Sequence, residues 1–243
     1  MLKYLWSIIL IALLCGCGTQ HHKKNSSVRN VNRVDIQSTY KDKPEKKDIL
    51  LDVPLIKQNP ELKYGCEVTS LAMVLNYAGV SADKLSLSRE IKLENDPLIK
   101  QDGNIIKWGN PEEGFVGDMS GKQKGYAVYD KPIQDLLEKY MPNRSLNLTN
   151  KSFNEILSHV SKGYPVIVWT TGDYRLPDRP ESWKHGSKTI KTPLDLHAVV
   201  LVGYNKRSVY VNDPLSGKKQ AQVPKETFRT SWHALQKRAV SYK

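Results

Sequence analysis

The chain is poor in cysteine: it has three in 243 residues, and two of them are Cys15 and Cys17. A disulfide-stapled exported domain needs an even set of cysteines in its folded part. Cys66 is the only one left there, so the fold is held by its core. The chain also lacks zinc-finger cysteine/histidine spacing, an arginine-dense recognition helix and regular interleaving of basic and aromatic residues. Nucleic acid is therefore not an expected partner despite the formal net charge of +12; anionic lipid or wall polymer suits that charge better. No internal repeat, transporter segment or nucleotide-binding loop is present. What is present is 39% hydrophobic content, enough to fill one well-developed core.

The one long apolar run, Tyr4 to Leu14 in "MLKYLWSIILIALLCGC", is short of the roughly 20 residues that span a bilayer. With Lys3 before it and small residues after it, the run reads as the core of a signal peptide. Cys17 follows Gly16, whereas Cys15 follows the bulky Leu14. "LCGC" resembles the lipobox of a bacterial lipoprotein. That resemblance implies a signal peptide over residues 1–16, lipidation at Cys17, and a location outside the cytoplasm, lipid-anchored to the bacterial cell membrane. Simple secretion, or an uncleaved short anchor, is the competing reading. Residues 17–48 contain "HHKKNSSVRNVNRVDIQSTYKDKPEKKD", whose polar composition cannot repay ordering entropy by burial. They are expected to form a flexible tether in which His21 and His22 are solvated surface, and residues 49–243 are expected to form the domain.

The domain opens on "ILLDVPLIKQ", extended because Pro54 and Pro60 oppose a helix. In "CEVTSLAMVLNYAGV", Val68, Leu71, Leu75 and Ala78 recur at helical spacing until Gly79. "DKLSLSREI", "DKPIQDLLEKYM", with Asp130 as candidate cap, and "SFNEILSHVSKG", with Ser152 and Glu155 spaced as a capping box, predict three more helices. The long Gly- and Pro-rich stretch between the first two of these reads as a functional surface or cleft wall. "YPVIVWTT", "HAVVLVGYN" and "SVYVNDP" predict strands, and Val223 is a candidate start of another. Helices first and strands after predict an α+β domain.

Cys66 lies in the first turn of the predicted helix, where unpaired N–H groups favour a thiolate, and Gly65 permits close approach. A nucleophilic thiol needs a base. His197 opens a strand after the loop "GSKTIKTPLDL", at a sheet margin where a ring can face a helix end. A third group should orient the imidazole. Asp213 lies one strand, a turn and a second strand beyond His197, and the alternation along "YVNDP" leaves Asn212 as a competitor. Gln58, eight positions before Cys66, offers a neutral side-chain donor for an oxyanion, together with the Cys66 backbone N–H. Trp108, Phe115, Tyr126 and Trp169 stand as core residues or aromatic substrate contacts.

The blocks "LDVPLIKQNPELKYGCEVTSLAMVLNYAG", "WGNPEEGFVGD", "GYPVIVW" and "HAVVLVGYNKRSVYVNDPLSG" together resemble the C39-like (peptidase C39-like 2) branch of the papain-like cysteine peptidases, over roughly residues 50 to 235. The resemblance implies a papain-like α+β fold, with Cys66 as nucleophile, His197 as base, Asp213 as orienting residue and Gln58 as oxyanion donor, and it tips the choice from Asn212 to Asp213. It implies a cysteine peptidase-like hydrolase that needs no cofactor and no metal, acting on a peptide or protein substrate at the cell envelope. A cell-wall peptide amidase or acyl transferase with the same residues is an alternative, as is a non-catalytic surface-tethered binding module. Oligomeric state is left open.

Overall fold

The structure, a computed structural model, describes residues 48–243. The expected signal peptide, Cys17 and almost all of the expected tether lie outside the described residues.

The N-terminal part is helical. After β1 (Ile49–Leu50) and an extended segment comes α1 (Cys66–Tyr77), apolar on nearly every side and buried from Cys66 to Leu75. It ends where Gly79 adopts φ +81°, a left-handed conformation open to glycine at no steric cost. α2 (Lys84–Glu90) is capped by Asp83, whose carboxylate accepts the Leu85 and Ser86 N–H groups. α3 (Asp130–Tyr140) and α4 (Phe153–Ser161) follow, and α4 carries the full Ser152/Glu155 capping box. Asp130 is not a cap. It is the first residue of α3, and its carboxylate receives the Asn147 amide and pairs with the Arg238 guanidinium.

The Gly- and Pro-rich stretch, residues 95–130, folds into short strands. β2 (Leu93–Glu94) pairs in parallel with β5 (Phe115–Val116), and β3 (Ile99–Gln101) forms a hairpin with β4 (Asn104–Lys107). The stretch expected as a loop before His197 is largely β9 (Lys188–Pro193), hairpinned to β8 (Pro180–His185) and joined through β8 to β4. Trp108, Val116, Tyr126 and Trp183 form a small core beneath these strands. Trp108, Phe115, Tyr126 and Trp169 are all buried, so of the two readings they are core residues and not aromatic substrate contacts; Trp169 donates its indole N–H to the Val128 carbonyl.

The main sheet is antiparallel. With β6 (Ser145–Asn147), β7 (Val166–Thr171), β10 (Leu196–Tyr204), β11 (Ser208–Asp213), β12 (Lys218–Pro224) and β13 (Ala239–Tyr242), its order is β12-β11-β10-β7-β13-β6, and β1 pairs with the end of β10. Val223 lies near the end of β12, not at its start. α1 and α4 pack on β7 and β10, while α5 (Lys225–Ala234) packs on β7, β11 and β12. Every residue of β7 is buried, which requires cover on both faces of the sheet. The start of α1 thereby meets the start of β10.

Candidate active site

Cys66 is the first helical residue of α1, and Gly65 precedes it as N-cap without a side-chain bond. A Cβ at Gly65 would lie 2.6 Å from the Leu62 Cβ, so the glycine lets the turn carrying the thiol pack on Leu62. α1 then grips β10 at one residue. The Ala198 N–H donates to Cys66 Sγ at 3.4 Å, and the Ala198 carbonyl accepts the Ser70 hydroxyl at 3.4 Å. His197 is the strand neighbour of Ala198, so that double attachment brings the backbone of His197 to the start of α1.

The imidazole is oriented from the far side. His197 Nε2 lies 2.8 Å from Asp213 Oδ1, so Nδ1 is the ring nitrogen that Asp213 leaves unengaged. The choice between Asp213 and Asn212 follows from register. Val200 opposes Asn212 across β10 and β11; continuing the pairing puts Asp213 opposite Val199, on the face that His197 shares. Asn212 points the other way, donating to the Val53 carbonyl at 2.9 Å and accepting the Gln220 N–H at 2.9 Å. Burial alone would raise the Asp213 carboxyl, but the His197 ring, the Ser216 hydroxyl and the Leu215 N–H hold it well below the usual carboxylate range.

Gln58 is buried on the incoming segment, and its Nε2 donates to the Lys63 carbonyl at 2.8 Å. That bond fixes the amide and leaves the second N–H of Nε2 uncommitted; Gln58 Oε1 has no partner among the described residues.

The thiol itself differs from expectation. Cys66 is only 7% exposed, and its S–H donates to Glu67 Oε2 at 3.3 Å. Burial and the Glu67 charge push the thiol well above its ordinary range, against the lowering effect of the Ala198 N–H; a helix start was expected to do the opposite. Glu67 is fully buried. Its Oε1 accepts the Val128 N–H at 3.0 Å, and burial pushes its carboxyl up to about 7. Sequence reasoning missed Glu67. In the sequence it is followed by Val68, Thr69 and Ser70 in the first turn of a helix, where a carboxylate is ordinary, so it carries no signal of its own.

One group of metal-ligand type also forms, on the smaller strands. Glu94, Asp96 and His185 bring one ligand atom each within 4.8 Å of one another. Lys107 Nζ already lies 3.3 Å from Asp96 Oδ2, and His185 lies between Asp96 and Glu113, so Asp96 has a lysine partner from the chain.

The chain is similar to known proteins in both sequence and fold. The model of the Peptidase_C39 like family matches residues 50–240. The chain is 37% identical over 220 residues to the uncharacterized protein YvpB of Bacillus subtilis (strain 168), covering 89% of this chain and 85% of that one. A crystal structure of a candidate C39-like peptidase from Bacillus anthracis superposes with a TM-score of 0.74 at 39% identity, covering 82% of this chain and 98% of that one.

Proposed function

The chain belongs to the C39-like peptidase family, and from that premise we propose that it is a thiol hydrolase that cleaves a peptide or isopeptide bond outside the cytoplasm. The observation that carries this reading is the His197–Asp213 pair at 2.8 Å, placed next to the residue whose N–H meets the Cys66 sulfur. A buried aspartate on one ring nitrogen fixes the tautomer and leaves the other nitrogen basic toward the thiol.

In the proposed reaction the Cys66 proton passes to His197 Nδ1 and the sulfur attacks the scissile carbonyl. The oxyanion is held by the Cys66 backbone N–H at the helix start and by the second N–H of Gln58. His197 then protonates the leaving amine, giving a thioester, and afterwards takes a proton from the water that hydrolyses it. Asp213 stabilises the imidazolium at each stage. Every group required belongs to the chain.

The proposed location follows from the apolar run from Tyr4 to Leu14 and the Cys17 that stands after it: lipid attached at Cys17 would hold the domain at the outer side of the bacterial cell membrane, among envelope peptides. The test is to incubate the full chain and its Cys66→Ala variant with isolated host envelopes and read released peptides by mass spectrometry. Release by the parent chain alone is expected; equal release from both would overturn the reading.

A further inference from the structure

Glu67 is the buried titratable group at the site for which the proposed reaction has no use. It is bonded to the reacting sulfur itself. Its Oε2 accepts the Cys66 S–H at 3.3 Å, and its Oε1 is pinned by the Val128 N–H at 3.0 Å. The carboxyl is therefore held on the thiol by an element distant in sequence, and both residues are buried. Among the described residues no lysine, arginine or histidine pairs with Glu67, and the Arg238 guanidinium, over the Tyr129 ring, is engaged by Asp130 and Glu112.

Two charge states of Glu67 have opposite effects on the sulfur. As carboxylate, Glu67 accepts the S–H and opposes the negative charge of a thiolate, so the proton stays on sulfur. As carboxylic acid, it has an O–H to donate to the sulfur, and the thiol proton can move to His197 Nδ1.

We propose that Glu67 gates the nucleophile: Cys66 reacts when Glu67 carries a proton and is locked as a thiol when Glu67 has lost it. This deepens the reading of Cys66 and His197 as a nucleophile and base pair and rests on it. The gating step is a balanced transfer, in which solvent supplies one proton to Glu67 and Cys66 gives one proton to His197, with no change in oxidation state. The other groups facing the site are Tyr126 and Tyr129 from the segment before α3, whose hydroxyls both meet Thr192, together with His197 and Asp213 from the sheet. Burial raises both tyrosines above their ordinary range, which keeps them neutral where Glu67 titrates. The upward displacement of the Glu67 carboxyl to about 7 puts the gate near neutrality, and coupling to the thiol makes the apparent values properties of the pair.

The test is the rate of Cys66 carboxamidomethylation by iodoacetamide between about pH 5 and 9, measured on the full chain and read on the tryptic peptide that contains Cys66. The parent chain is expected to lose reactivity as pH rises through neutrality and recover it only when the bulk thiol ionises. Glu67→Gln keeps an acceptor for Val128 and a donor for the sulfur but cannot ionise. It is expected to match the parent at pH 5 and to label about tenfold or more faster at pH 8. Parallel profiles for the two proteins, or a parent profile that rises monotonically with pH, would overturn the gate; the second needs no variant to fold. His197→Ala separates the two ideas. If its labelling equals the parent's at every pH, the thiol and imidazole pairing fails, whatever Glu67 does.

Discussion

Asp213 Oδ1 lies 2.8 Å from His197 Nε2, a contact between neighbouring antiparallel strands that joins residues sixteen positions apart. Asp213 is held in turn by the Leu215 N–H at 2.9 Å and the Ser216 hydroxyl at 2.6 Å. The aspartate is thus fixed before the histidine meets it, and the ring orientation is built into the sheet.

Asp213→Asn should keep the fold and lose the fast reaction of Cys66. An amide can present the wrong group to Nε2 and favours the wrong tautomer, so turnover should fall by about 10²- to 10⁴-fold. Asn212→Leu should do the reverse. It leaves the Val53 carbonyl and the Gln220 N–H without their partner, at a cost of about 1–3 kcal/mol, and spares labelling of Cys66. Urea unfolding and iodoacetamide labelling of both variants check the pair.

Gln58→Ala separates oxyanion binding from thiol activation. Peptide release should fall by about 10²- to 10³-fold, while the Cys66 labelling rate stays close to the parent's, because alkylation forms no oxyanion. A matching loss of labelling would mean that the bond from Gln58 to the Lys63 carbonyl shapes the turn before Cys66 instead.

Stability should carry the mark of Glu67. Its folded value of about 7 lies above the ordinary 4.5, so between those values the native state holds a proton that the unfolded chain has released. Stability from this group is fully present below about pH 4.5 and is lost as pH rises through about 7. The difference amounts to about 3 kcal/mol. The Tm of Glu67→Gln relative to the parent should therefore rise by on the order of 5–10 °C between about pH 5 and 8, read by scanning calorimetry. Asp213 acts in the opposite sense: its depressed value contributes stability above the ordinary aspartate range that is lost on acidification.

Arg238→Met should cost about 3–5 kcal/mol, since Asp130 would remain buried without its cation. Denaturant unfolding measures the loss. Asp130→Asn combined with Arg238→Met should recover part of it.

The helix that presents Cys66 was legible because apolar residues recur at its spacing, and α4 because Ser152 and Glu155 cap it. The strands carrying His197 and Asp213 were legible from their Val-rich runs. Glu67 was not, since its second partner is the Val128 N–H, sixty-one positions away, and no local pattern announces a backbone partner across the fold. Asp130 looks like a cap in the sequence for a related reason: its guanidinium partner stands 108 positions later. The β8–β9 hairpin is not legible because its residues are mostly polar and only Trp183 and Thr192 are buried, which removes the alternation that marks a strand with one buried face. Trp108 and Tyr126 were ambiguous for the same cause, as the hairpin that buries them could not be seen.

The central claim is that His197 activates Cys66, and it is tested most directly by the second-order rate of Cys66 labelling at about pH 6.5 in the parent chain and in His197→Ala, with equal folding verified by circular dichroism. The account predicts that the variant labels about 10²-fold more slowly or worse, because a buried thiol without its base stays protonated. Equal rates in the two proteins would contradict it.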